Sequence, residues 1–321
     1  MARQPCRAGV LPLRGVTRTV TVINTLVRAA PKRSWGLTVR TALAAPLTIF
    51  LIDLDAAAAQ DARIESSWVE TDFSRVRLIS ASDAVGTDGA IRLGFHAVFD
   101  EGWHFYWRSA ADTGFPPRFD WSKSVNVASV EIDWPAPKRY NLLGFDSYAY
   151  ANEVVLPIRV TVADAAKPVS VRTEVFFAIC ADVCIFNEET FRVDLPAGEA
   201  GRTVHADLIE RFARLVPVRE GGGMEIGDII VRDEGGRRVA EITSRSDRPF
   251  VQPDLIVEGP ADFYFMRPEM TLEADRHVAR FTIPVSYEGE GADPGLWGSE
   301  VTLTLLDDAR AIERHRVISP R

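Results

Sequence analysis

From about Ser67 onward the chain alternates apolar and polar residues with a period of two, and this pattern constrains its fold more than any other feature. Ile91, Leu93, Phe95, Ala97 and Phe99 form one such run, and Val154, Leu156, Ile158, Val160 and Val162 form another. Val169, Val171, Thr173, Val175, Phe177 and Ile179 repeat it, as do Phe191, Val193 and Leu195. Successive side chains of a strand point to opposite faces, so each run has one face for a core and one for water. Many short runs separated by Gly, Pro and Asp predict an antiparallel β-sandwich. Pro157 falls inside one run and lacks a backbone donor, which predicts an edge strand or a bulge there.

The alternation lapses after Pro196. Val204, Leu208, Ile209, Phe212 and Leu215 then recur at helical spacing, with His205, Asp207, Glu210 and Arg214 mostly opposite. A connecting helix over 202–216 is expected, its apolar stripe packed on a neighbouring domain. Gly221, Gly222 and Gly223 read as a linker, and alternation resumes at 226–231, 279–285 and 301–305. The expected organisation is all-β: one sandwich over 64–198, the helix, and a second, smaller sandwich over 222–320. The second has no cysteine and only scattered histidines and carboxylates, so it reads as a structural or docking module.

Cys180 and Cys184 interrupt two of the strand-like runs, in Ile179-Cys180-Ala181-Asp182-Val183-Cys184-Ile185. Along a continuous strand, positions i and i+4 lie roughly 13 Å apart, too far for a disulfide. A hairpin closed by Ala181, Asp182 and Val183 would instead set the cysteines opposite each other, where a bond is easy. A ring of roughly five residues would contribute only about 2 kcal/mol through chain entropy, which makes the bond a poor staple. Small, strained rings at hairpin ends exchange readily with thiolates. An exchange-active pair, a structural bridge and a free pair all remain open at this point. Zinc is not expected, since no second cysteine pair exists and His96, His104, His205, His277 and His315 show no ligand spacing.

The amino terminus reads as an export signal over residues 1–59, with an uncleaved amino-terminal anchor as the alternative. Arg28, Lys32, Arg33 and Arg40 form a basic region, residues 42–54 an apolar one, and Ala56 to Ala59 offer small-residue cleavage sites. Cys6 falls upstream of that zone. The basic region is unusually long, which an earlier-than-true start codon would explain. Eight of the 37 basic and two of the 45 acidic residues lie in this segment, so the remainder carries a net charge of −14. Such a surface repels nucleic acid and anionic lipid. No later apolar run reaches the 18 residues of a membrane span, and no Gly-rich nucleotide loop is present, so neither a further span nor a cofactor is expected.

Several motifs in order then resemble a known family: Gly102-Trp103-His104-Phe105-Tyr106-Trp107-Arg108-Ser109, Gly114-Phe115-Pro116-Pro117, Glu153-Val154-Val155-Leu156-Pro157-Ile158 and the cysteine hairpin. They resemble the amino-terminal periplasmic domain of the protein-disulfide reductase DsbD, in the form found in ScsB-like relatives, and 202–320 is similar to the module that follows it there. The resemblance implies an immunoglobulin-like sandwich, a periplasmic location, and Cys180 and Cys184 as a pair relaying electrons to or from thioredoxin-fold proteins. DsbD domains separate their cysteines by more residues than the three here. The chain as read ends at Arg321 without the family's transmembrane and thioredoxin domains, so a separate membrane electron-transfer protein is a further expected partner.

In that family a cap loop shields the cysteines. Its counterpart here is Tyr140 to Tyr148, with Leu142, Leu143 and Phe145 as candidate covering or partner-contacting residues and Phe105 and Tyr106 as a candidate opposing wall. Asp182, inside the turn, is a candidate proton acceptor, although a solvated turn residue has the same sequence signature. The alternative function is a non-catalytic binding or scaffold module whose disulfide merely secures a hairpin.

Overall fold

A computed structural model describes residues 62–319, apart from positions 110, 112, 143, 235 and 236. The expected export signal and Cys6 lie outside the described residues. Eleven strands build the first module among the described residues: β1 (Val69–Thr71), β2 (Ser74–Ser80), β3 (Ala90–Phe99), β4 (His104–Tyr106), β5 (Arg118–Asp120), β6 (Val127–Ile132), β7 (Lys138–Leu142), β8 (Phe145–Ala151), β9 (Glu153–Val162), β10 (Val169–Cys180) and β11 (Cys184–Leu195). One sheet runs β1-β2-β3-β9-β6 and the other β11-β10-β4-β8-β7, with β5 beside β10. Every pairing is antiparallel, and the fold is all-β, as the period-two runs require.

The apolar positions of those runs meet between the sheets. Phe95 sits at the centre, with the rings of Phe105, Phe119, Phe177 and Phe191 at centroid distances of 6.1, 5.3, 6.2 and 5.5 Å, three of them edge-on, the arrangement aromatic quadrupoles favour. Pro157 departs from expectation: β9 is an interior strand between β3 and β6. Its carbonyl accepts from Asp133 N at 2.8 Å, so the missing N–H faces the same side, just past Ile132, where β6 has ended. The proline therefore removes no ladder bond.

Helix α1 (Ala206–Ala213) is shorter than the expected 202–216. Arg202 bridges to Ser82 and Thr203 N donates to Ala81 O, which holds that segment extended. Val204 is consequently 85% exposed instead of part of the stripe, and Leu215 lies beyond the helix and exposed. Ala206, Ile209 and Phe212 are the buried face. They pack on the first module, where Gly94 opens the space: a Cβ there would lie 2.5 Å from Val155 Cγ1 and 3.0 Å from Ile209 Cγ1.

The second module contains β12 (Met224–Glu234), β13 (Arg237–Ser246), β14 (Pro253–Glu258), β15 (Phe263–Phe265), β16 (Glu269–Leu272), β17 (Val278–Tyr287), β18 (Glu300–Asp307) and β19 (Arg310–Val317). They form one sheet ordered β12-β13-β17-β15, with β16 beside β17, and another ordered β14-β18-β19. Their shared core includes Ile242, Phe250, Phe281, Leu303 and Ile312.

The two modules pack as one compact unit. Ile256 of β14 joins the first module's core. Around it, Arg139 of β7 makes a two-pronged contact with Asp254, Nε to Oδ2 at 2.8 Å and Nη2 to Oδ1 at 2.9 Å, and donates to Leu255 O at 3.1 Å. Arg108, just beyond β4, grips Glu258 in the same way at 3.0 and 2.6 Å and also bonds Glu313. Planar guanidinium forks on carboxylates are the most directional ion pairs available to a protein. Burial opposes charge on both arginines, yet the bonds to Asp254 and to Glu258 outweigh it and hold each pKa above its usual value.

Candidate functional site

Strands β10 and β11 form one hairpin, in register from Val169 opposite Leu195 to Cys180 opposite Cys184. Ala181, Asp182 and Val183 close it, with Ala181 N donating to Val183 O at 2.9 Å. The cysteine Cα atoms stand 4.1 Å apart and the two sulfurs are bonded. The bond joins the positions that the hairpin argument set opposite each other.

Burial distinguishes the two sulfurs. Along most of β10 the alternation leaves one face half-exposed, but from Phe177 to Cys180 every residue is buried. Phe177 and Ile179 face the main core, while Ala178 and Cys180 point to the outer face of the sheet, which is covered at this end. The cover is a small separate cluster in which Tyr106 and Ala149 surround Ala178 and Cys180, with Tyr140 and Cys184 packed at its margin. Cys180 is 1% exposed, whereas Cys184 is half-buried. Cys184 is therefore the more accessible of the two cysteines.

The neighbouring side chains follow from strand register. His104 lies opposite Cys180 on β4, and Tyr106 follows two residues later on the same face. Tyr106 Oη lies 3.9 Å from Cys184 Sγ, and since a disulfide sulfur has no proton, the hydroxyl donates. Burial pushes the Tyr106 and Tyr140 phenols up, so both remain protonated donors, and pushes the His104 imidazole down, so it is neutral at pH 7. Tyr140 stacks on His104 at 5.5 Å with the rings 9° from parallel, and His104 meets Tyr106 edge-on at 5.2 Å. Beyond Tyr106 an aromatic series continues outward, Tyr106 to Phe115 at 6.2 Å and Phe115 to Phe186 at 5.0 Å. Phe115, Phe186 and Val183 are all exposed beside the disulfide.

The sequence-derived candidates divide accordingly. Cys180, Cys184 and Tyr106 come together. Phe105 does not join them, because alternation turns it into the main core, where it is fully buried against Phe95 and Phe99. Phe145 is 55% exposed at the β7–β8 tip. There it lines a cleft of about 490 Å³ with Tyr264, Met266 and Arg267 of the second module, and it is absent from the cluster around Cys180. The side chain of Leu142, and all of Leu143, lie outside the described residues. Asp182 occupies the exposed middle of the turn. His104 and Tyr140 were not among the candidate site residues. The signal for His104 was its place two residues before Tyr106 in an alternating run, and for Tyr140 its place in the cap segment.

Among the described residues no helix is long and apolar enough to cross a membrane, and no cluster of three or more His, Cys, Asp or Glu could hold a metal ion. Comparison with known proteins bears directly on the site. Residues 75–196 match the family model described as thiol:disulfide interchange protein DsbD, N-terminal. Residues 215–321 match one described as a domain of unknown function (DUF8393). No curated protein matches the chain. The crystal structure of the N-terminal periplasmic domain of ScsB from Proteus mirabilis is similar at 20% identity and a TM-score of 0.66, over 81% of this chain and 100% of that one. The segment that carries the cysteine hairpin thus matches the DsbD N-terminal model, and the chain shares its fold with the N-terminal periplasmic domain of ScsB.

Proposed function

We propose that this protein carries out thiol–disulfide exchange with periplasmic thioredoxin-fold proteins through Cys180 and Cys184. The observation that carries the reading is the asymmetric pair: a half-buried cysteine at a hairpin tip, bonded to a buried one, inside a ring too small to be an effective staple. In the reduced state the Cys184 thiolate attacks a partner disulfide, and one partner sulfur leaves as a thiolate. Cys180 then attacks Cys184 Sγ, which releases the partner as a dithiol and re-forms the Cys180–Cys184 bond. Run in reverse, the same steps oxidise a partner dithiol. The Tyr106 hydroxyl, 3.9 Å from Cys184 Sγ, is available to donate to the thiolate as it develops, and hydrogen bonding to a charged form favours it. Phe115, Phe186 and Val183 provide an apolar rim on which a partner docks.

The test is trapping. Cys180→Ala leaves Cys184 without its resolving thiol, so mixed disulfides with thioredoxin-fold proteins accumulate and are released by reductant. Cys184→Ala traps far less, because the remaining thiol is buried. Absence of trapping by either variant refutes the reading.

The near-complete burial of Cys180 favours a second reading, a binding or scaffold module in which the bond secures the hairpin. It requires a reduction potential near roughly −300 mV or below, where structural bridges lie. A markedly less negative value eliminates it.

A further inference from the structure

The β7–β8 hairpin has two working faces. Adjacent residues on a strand point oppositely, and here the consequence is that Tyr140 turns toward the cysteine cluster while Arg139 turns toward the second module. Tyr140 packs against the cluster and stacks on His104, the residue opposite Cys180. Arg139 is nearly buried, with its guanidinium shared between Asp254 on β14 and, within its own hairpin, Asp146 at 2.8 Å and the Tyr148 hydroxyl at 3.2 Å. Asn141 adds a bond to Asp146 at 2.7 Å. The hairpin is therefore tied to the second module chiefly through Arg139, with Arg267 of that module also 3.5 Å from Asp146, and it packs on the cysteine cluster through Tyr140. β7 is the outermost strand of its sheet, so on its free side no further strand holds it down. What opposes its opening is this clamp, the longer contact of Arg267 with Asp146 and the pairing to β8.

We propose that the carboxy-terminal module sets the reactivity of the Cys180–Cys184 disulfide by holding the β7–β8 hairpin over it through Asp254 and Arg139, which makes Arg139 a positioning residue for exchange. The inference rests on the functional reading above for its biological meaning, but its physical content is the accessibility of the bond. Loosening the clamp lets Tyr140 lift, uncovers the rim around Cys180 and lets thiolates reach the bond without a docked partner. The second module then serves as the element against which the cover is fastened.

Asp254→Asn tests this in the full chain, because it removes one carboxylate charge, keeps the shape and leaves the Arg139–Asp146 bond in place. The probe is dithiothreitol. One of its thiolates attacks Cys184 Sγ, Cys180 Sγ leaves as a thiolate, and the second dithiothreitol thiol closes its own ring and frees Cys184. Losing a charge-assisted pair is expected to shift the opening equilibrium, and with it the reduction rate, by about tenfold. Amide exchange over 138–151 should accelerate together with reduction while β17 stays protected. Asp254→Glu, which restores a carboxylate, should recover most of the wild-type rate. A reduction rate within about twofold of wild type overturns the proposal, since that lies below what such a pair contributes. So does a faster rate without faster hairpin exchange, or one accompanied by equal loss of protection in β17, which would report general unfolding. Dithiothreitol needs no partner protein, so a failure of trapping would sink the functional reading while leaving this result to be judged alone.

Discussion

The long central strands of the two modules, β10 and β17, differ at one end, and that difference locates the site. β17 keeps its alternation through most of its length, with one face in the core and the other, at Arg280 and Thr282, open to solvent. β10 does the same until Phe177 and then buries both faces, because Tyr106, Ala149 and Tyr140 cover the outer one. A sandwich needs only one buried face per strand for stability. At the hairpin tip the outer face is covered as well, over the disulfide.

Three measurements test how far the two regions differ, and the largest effect belongs to the main cores. Phe95→Ala empties the centre of the first module and should cost about 3–5 kcal/mol, read from chemical denaturation. Phe281→Ala should cost a similar amount in the second. If the ion pairs at Arg108 and Arg139 couple the modules, each variant shifts a single transition. Two separated transitions would show that the modules unfold independently.

The disulfide should matter much less. Replacing both cysteines, Cys180→Ser with Cys184→Ser, is expected to lower stability by no more than about 2 kcal/mol, the chain-entropy value of so small a ring. A loss as large as that of Phe95→Ala would make the bond a structural element.

The smallest effect is a pH dependence of stability. His96, His104 and His205 all have imidazoles held below their ordinary value, burial being the largest cause in each. Glu153 beside His96 and Glu65 beside His205, each at 3.0 Å, oppose the shift without reversing it. The unfolded chain therefore binds protons more readily than the folded one. The contribution is fully present above about pH 6.5, the unfolded histidine value, and is lost as pH falls toward the lower folded values. Denaturation midpoints should fall between pH 7.5 and 5.5. A midpoint that rises over that range would mean that the glutamates dominate and that these histidines are charged in the folded state.

Much of this could be read along the chain, since it depends on neighbours in sequence. Period-two runs specified an all-β fold, the Cys180 to Cys184 spacing specified a turn over 181–183, and helical spacing around Ile209 specified a helix. Its length was overestimated because the bonds that keep Thr203 extended come from Ala81, more than a hundred residues away. Alternation predicts an edge or a bulge at Pro157, since it says nothing of where a neighbouring strand stops; Pro157 lies on an interior strand, beside the end of β6.

Tertiary structure alone decided the character of the site. Alternation states that Cys180 and Ile179 face opposite ways, but not that Tyr140 covers one of those faces or that Phe145, five residues further on, lies instead in a cleft beside the second module. Nor does any local pattern pair Arg139 with Asp254, 115 positions away in the other module. Periodicity encodes the direction in which a side chain points. What it meets there is fixed by contacts between distant segments, and these decide that Cys180 is buried and Cys184 only half-buried.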